Sequence, residues 1–337
     1  MFIYVVFFFL IFQSQGFSFH SKTEHTLSGK TMGTDYTIKF LSNKNEAIDS
    51  WQARVDICLK EINKTFSMFD PESRLSLFNR LEIGKNMKIP SDFYFVLLTS
   101  QNLYHLTHGA WDGTVKPLVD LWGFGTRKGE NKIPDPSEIT LALSKTGFHR
   151  IRLSENHTVS KDADVSLDLS SIAKGYGVDA VASLFISSGI QDVLIEIGGE
   201  IYAGGKNKKG ELWSVGISRP DKDSSKQDLY KIVRLSNQAI ATSGNYRNFF
   251  EMNGKTYSHI IDPKTGFPVD NHIVSTSVIS KDCAFADGLA TALMVMDVEE
   301  SLRLVNSFEG TECLILKQNG HILESHMSKN FHRFLSD

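Results

Sequence analysis

Hydrophobic positions along this chain change period several times, and each change predicts an element. Phe2 to Phe12 is an unbroken apolar run, followed by Gln13-Ser14-Gln15-Gly16 and polar sequence from Ser18. Thr31 to Leu41 alternates through Tyr36, Ile38 and Phe40, the period of a strand with one buried face. Val55, Leu59, Ile62 and Phe66 then recur at helical spacing, and Phe69-Asp70-Pro71-Glu72-Ser73 stops that helix. A second helix is predicted from a Ser91 cap through Phe95, Leu98, Leu103 and Leu106 to a stop at Gly109. Residues 109–136 are punctuated by Gly and Pro, with a surface loop from Gly129 to Pro136.

The second half is richer in strands. A helix over Ser170–Ser188 ends at Gly189 and feeds Val193–Ile197, which turns at Gly198-Gly199 into Ile201-Tyr202-Ala203. Trp213–Ile217 and Ile232–Leu235 continue as strands, and Ile240–Tyr257 reads as a hairpin around Met252-Asn253-Gly254. Val274–Ile279 is a strand, Ala284–Met296 a helix, and Ser301–Ser307, Glu312–Lys317 and Gly320–Glu324 close the chain as helix, strand, strand. Strands in runs with helices between them predict an α+β fold of mainly antiparallel sheets packed with helices. No internal repeat or clean linker divides residues 17–337, which read as a single domain.

Composition narrows the function. The 337 residues are 41% apolar and 22% charged with a net charge of −3, and no long basic run exists, which disfavours nucleic-acid binding. As a helix the Phe2–Phe12 run spans about 16 Å, short of the roughly 30 Å of a bilayer core. It fits the apolar segment of a signal peptide over residues 1–16, cleaved near Gly16, although no Lys or Arg precedes it; the other reading is a buried first element. The three cysteines, Cys58, Cys283 and Cys313, give no disulfide framework, and none follows the apolar run to carry a lipid anchor.

Four clusters carry candidate chemistry. Asp287 and Thr291 lie one turn apart on a helix face and offer two hard oxygen ligands suited to Mg²⁺; the bland alternative is an acid favouring the helix dipole beside a packing residue. Asp168-Leu169-Ser170-Ser171 sits where a strand should hand over to a helix, whose free amides bind anions. Lys174 is oddly signed so near a helix start, a conflict that a phosphate would resolve, unless the lysine simply reaches solvent. His259 in Ser258-His259-Ile260-Ile261-Asp262-Pro263 is a candidate general base or else a histidine at the edge of the core, and the Asp262–Gly266 turn is structural. Met32-Gly33-Thr34 and Gly109-Ala110-Trp111-Asp112 offer surface for a planar ring and an acid for a ring N–H, with core packing as the alternative. Gly198-Gly199-Glu200 is either a hairpin turn or a close approach of backbone to ligand.

In order and spacing, these motifs resemble the ApbE family, the FAD:protein FMN transferases. The likeness runs through Met32-Gly33-Thr34, Phe66–Asn79, Gly109–Gly125, Asp168–Gly175, Gly198–Glu200, Ser243–Tyr246, Ser258–Pro268 and Ala286–Ala292. The resemblance implies a T-fold-like α+β enzyme, exported and periplasmic or membrane-associated. It implies FAD as substrate with Mg²⁺, and transfer of FMN to a Ser or Thr hydroxyl of a target flavoprotein, such as an electron-transfer subunit, with release of AMP. By the same resemblance Asp287, Thr291 and the Ser171 carbonyl are metal ligands. Met32, Phe69, Ala110, Trp111, Asp112, Asp168, Lys174, His259 and Ile260 fall on flavin-nucleotide positions. His259, Lys174 and Asp287 are the catalytic candidates. The chain departs from many members in lacking an anchoring Cys and in carrying serines at Ser170 and Ser171. An FAD pyrophosphatase giving FMN and AMP is the second reading, an exported flavin carrier the third.

Overall fold

The computed structural model describes residues 22–43, 47–125, 132–220, 228–246 and 248–336. The proposed signal segment and the first part of the Gly129–Pro136 loop therefore lie outside the described residues. Two strands come first, β1 (Thr23–Thr31) and β2 (Thr34–Ser42), then α1 (Ile48–Phe66), α2 (Arg74–Asn79), β3 (Met87–Lys88), α3 (Ser91–Leu106), α4 (Lys116–Leu121) and α5 (Pro136–Leu143). β4 (Ile151–Ser154) and β5 (Thr158–Lys161) precede α6 (Ser170–Ser187). There follow β6 (Val193–Ile197), β7 (Glu200–Gly204), β8 (Trp213–Ser218), β9 (Leu229–Leu235), β10 (Gln238–Gly244), β11 (Phe249–Met252), β12 (Lys255–Ser258) and β13 (Ile273–Ser280). α7 (Cys283–Val295), α8 (Val298–Val305), β14 (Glu312–Asn319) and β15 (Ile322–Met327) complete the set.

Eight strands form one sheet in the order β1-β2-β6-β7-β10-β13-β14-β15, with every neighbouring pair antiparallel. Helices α6 and α7 pack together on one face of it, with α1 and α3 behind them, and their side chains make the main core with Tyr36, Ile38, Phe40 and Ile195. The β8–β9 hairpin covers the other face through Trp213, Val215, Val233 and Leu235. A third, smaller cluster joins α4 and α5 to the β11–β12 hairpin through Leu118, Trp122, Ile139, Phe250 and Ile261. This α+β, antiparallel architecture is the one the strand and helix runs predict.

Local differences have physical causes. The Thr31–Leu41 alternation spans a hairpin rather than one strand: Met32 and Gly33 have φ of 50° and 77°, the left-handed pair that a tight turn needs, and Thr31 pairs with Thr34. Helix α3 is preceded by Pro90, so Ser91 is its first residue and not its cap. No strand runs into α6; residues 165–169 are irregular, held by Asp168 N–H donating to the Gly113 carbonyl (2.7 Å). The turn at Asn253-Gly254 joins β11 to β12 only, whereas β10 leaves to pair with β7 and β13 in the main sheet.

Candidate active site

The site begins where α6 crosses α7. Gly175 permits the crossing, since a Cβ there would collide with the Cys283 carbonyl. Asp179 of α6 accepts hydrogen bonds from the Cys283 and Ala284 amides, both at 2.8 Å, and so caps the start of α7. The Gly175 amide donates to Asp287 Oδ2 (3.0 Å). In a regular helix that amide serves the carbonyl four residues back, so the Ser171 carbonyl and the buried Asp287 carboxylate converge on one N–H. Thr291, a turn further along α7, shares a hydrogen bond with Ser243 Oγ from the end of β10 (2.9 Å).

Lys174 extends between two acids. Its ammonium is 2.7 Å from Glu200 Oε1 and 3.9 Å from Asp287 Oδ2. Burial opposes the charge on Lys174, but the carboxylates of Asp287 and Glu200 outweigh it and hold the ammonium protonated. Burial, with Asp287 next to it, raises the Glu200 carboxyl despite Lys174, and burial raises Asp287 as well. With both acids ionised, two negative charges would face one ammonium, and that imbalance is the unfavourable element of this trio. The helix-start anion site is weaker than the sequence implies. The Ser170 amide already donates to Asp168 Oδ1 (2.9 Å), and the Ile172 and Ala173 amides to the Leu169 carbonyl. Within the protein, Glu200 answers the charge of Lys174.

These groups line a cleft of about 630 Å³, within the roughly 300–1,000 Å³ of small-molecule sites. Its other residues include Phe69, Ala110, Trp111, Asp112, Asp168, His259 and Ile260. Trp111 is buried and donates from Nε1 to Ser171 Oγ (3.1 Å). Asp112 is committed to its own turn, accepting from the Thr114 amide (2.8 Å), Thr114 Oγ1 (2.6 Å) and the Phe148 amide (3.2 Å), and burial raises its carboxyl. Phe69 is 81% exposed at the rim, an apolar ring that a ligand or partner can cover. His259 Nδ1 lies 3.0 Å from the Asn248 carbonyl, which can only accept, so Nδ1 carries the proton and Nε2 keeps its lone pair. Burial lowers the His259 pKa below 6.5, so the ring is neutral at pH 7.

All but one of the residues given a catalytic, flavin-nucleotide or metal role by the resemblance line this cleft. Met32 does not line it; its sulfur lies 3.2 Å from where a Gly177 Cβ would stand, in the turn between β1 and β2. Sequence reasoning missed the charge role of Glu200 and gave no role to Ser243, Asn248 or Phe124. The Gly198-Gly199 turn, with φ of 61° and 101°, was the available signal for Glu200, because it aims the first residue of β7 into the cleft. Among the described residues no group of three or more His, Cys, Asp or Glu side chains is placed to hold a metal. The candidate donors are instead one carboxylate, one hydroxyl and a carbonyl.

A sequence model of the ApbE family matches residues 32–315. The chain belongs to the ApbE family. Over 312 residues it is 40% identical to the FAD:protein FMN transferase of Vibrio cholerae, covering 92% of each chain. With that of Escherichia coli K12 it shares 32% over 321 residues, covering 94% of this chain and 90% of the other. Its fold superposes on the flavin transferase ApbE from Vibrio cholerae with a TM-score of 0.85 at 37% identity, covering 93% of this chain and all of that one. The apo flavinyl transferase ApbE of Pseudomonas stutzeri gives 0.84 at 32% identity, covering 93% and 97%. The T-fold-like ApbE architecture expected from the motifs is therefore the one observed.

Proposed function

We propose that this ApbE-family chain is an FAD:protein FMN transferase that joins FMN, through a phosphoester, to a Ser or Thr hydroxyl of an acceptor flavoprotein and releases AMP. The observation that carries this reading is that a buried acid and a half-buried hydroxyl, Asp287 with Thr291, line the same cleft as a neutral histidine with a free Nε2. The relatives' names supply the donor and the class of acceptor. The apolar run Phe2–Phe12 supports export of the enzyme, with residues 17–337 as its single domain.

The residues at the α6–α7 crossing fit a hard divalent cation, because their donors are oxygens and two acids face a single ammonium. Asp287, Thr291 and the Ser171 carbonyl would hold Mg²⁺, which supplies charge neutralisation to the pyrophosphate of FAD. In the transfer step the acceptor hydroxyl oxygen attacks the phosphorus of the FMN half. The bond from that phosphorus to the bridging oxygen breaks, and AMP leaves with the electron pair. The hydroxyl proton passes to His259 Nε2, and Lys174 adds positive charge on the same side of the cleft as Asp287. The cleft is open, and water in place of the hydroxyl would turn the same groups into an FAD pyrophosphatase.

Incubation with FAD and Mg²⁺, with and without an acceptor domain, tests the reading. Covalent flavin on the acceptor with release of AMP is expected. FMN and AMP without labelled acceptor would favour the hydrolase, and intact FAD in both samples would reduce the chain to a carrier. Asp287→Ala should abolish the Mg²⁺-dependent turnover while retaining part of the FAD binding; a fully active variant would remove the metal assignment.

A further inference from the structure

Lys174 presents a problem for any cation at Asp287. An ammonium and a metal ion compete for the same carboxylate, and Lys174 Nζ is only 3.9 Å from Asp287 Oδ2. Closing that gap to hydrogen-bond distance would neutralise Asp287 and fill its open side. What holds the ammonium back is Glu200, whose Oε1 takes it at 2.7 Å. The three groups come from three elements: Lys174 from α6, Asp287 from α7, and Glu200 from the first position of β7. The Gly198-Gly199 turn gives Glu200 that position, with its side chain almost fully buried.

The remaining oxygen of Glu200 argues against a purely structural ion pair. Oε2 is buried and has no hydrogen-bond partner among the described residues. A carboxylate kept for stability would have both oxygens satisfied, since an unpartnered buried acceptor is costly. We propose that Glu200 is a positioning residue: it holds the Lys174 ammonium on itself and thereby keeps the Asp287 carboxylate open to a divalent cation. This rests on the transferase reading above, and it predicts a coupling between Glu200 and Lys174 that the transferase reading alone does not.

The test is a double-mutant cycle read by metal affinity. Mn²⁺ is titrated into the full chain, alone and with AMP and FMN present, and free Mn²⁺ is followed by electron paramagnetic resonance. Glu200→Gln keeps the side-chain shape but weakens its hold on the ammonium. Its Mn²⁺ affinity should fall by roughly 10- to 100-fold, the effect typical of residues that support a metal ligand. Lys174→Met should bind Mn²⁺ at least as well as the unaltered protein, and adding Glu200→Gln to it should then cause no further loss. Equal affinity in the Glu200→Gln variant would overturn the proposal. So would a loss that persists in the Lys174→Met background, because Glu200 would then act through its own charge. Should Glu200→Gln fail to fold by circular dichroism, weakened binding in Lys174→Met alone would still overturn it. Failure of the unaltered chain to bind Mn²⁺ would overturn both this inference and the metal assignment. Failure confined to the variants leaves the transferase reading standing.

Discussion

At the scale of single residues, His259 carries the sharpest expectation. Its Nδ1–H is fixed on the Asn248 carbonyl and its ring is largely enclosed, so the neutral form is favoured and the pKa lies below 6.5. A base works only while unprotonated, so activity should be flat from neutral pH downward until that lowered pKa is reached, and then decline as the ring gains a proton. Acceptor labelling measured against pH should show an acidic limb with its inflection below 6.5. His259→Ala should remove that limb and slow labelling by about 10²- to 10⁴-fold. An inflection above 7, or a limb that survives the substitution, would show that another group takes the proton. Glu200 stands at the same scale and was hidden for a simple reason. It is 26 positions from Lys174 in the chain, and only the return of β6 into β7 brings the two side chains together.

At the scale of elements, the chemistry depends on how α7 is started. The first amides of a helix have no partner within it, and here Asp179 reaches over from α6 to accept two of them. The same helix carries Asp287 and Thr291 one and two turns further on. Asp179→Ala should therefore cost about 1–2 kcal/mol of stability, the range for loss of a helix cap. It should also raise the Mg²⁺ concentration needed for half-maximal turnover, because the register of α7 against Gly175 sets the position of Asp287. Thermal melts and a Mg²⁺ titration check the two effects; a lower melting temperature with an unchanged Mg²⁺ requirement would confine Asp179 to stability. Helix α7 was legible in the sequence, as were α1 and α6: α1 by its helical apolar spacing, α6 and α7 as mainly apolar stretches of helical length. Strand β13 was found as well, but not which strands it pairs with. It is buried nearly throughout, including Ser275, Thr276 and Ser277, and its polar groups are satisfied internally, with Thr276 Oγ1 donating to the Ala290 carbonyl (2.6 Å). A strand covered on both faces loses the alternation that would state its orientation. Its pairing with β10 and β14 is a non-local matter that no local pattern encodes.

At the scale of the whole molecule, the cleft lies between two hydrophobic bodies of unequal size. Lys174, Glu200, Asp287 and Thr291 stand on α6, α7 and β7, and the apolar side chains of the two helices help build the main core. The far wall belongs to the smaller cluster, where Trp122 packs on Tyr257 with ring centroids 5.6 Å apart and donates from Nε1 to the Gly266 carbonyl (2.8 Å). His259 stands at the seam: Ile260 beside it packs into the main core, and Ile261 into the smaller cluster. A body with so few apolar residues should open more easily than the core it leans on. Trp122→Ala removes its largest buried side chain, which costs about 3–5 kcal/mol where a large aromatic is lost. That loss should fall on the smaller cluster, loosening the seam that aims His259 while α6 and α7 stay in place. Labelling of the acceptor should then drop steeply while the Mn²⁺ affinity of the chain stays as it was. If metal affinity falls together with labelling, the two bodies unfold as one, and His259 and the Asp287–Thr291 pair are held by a single cooperative core.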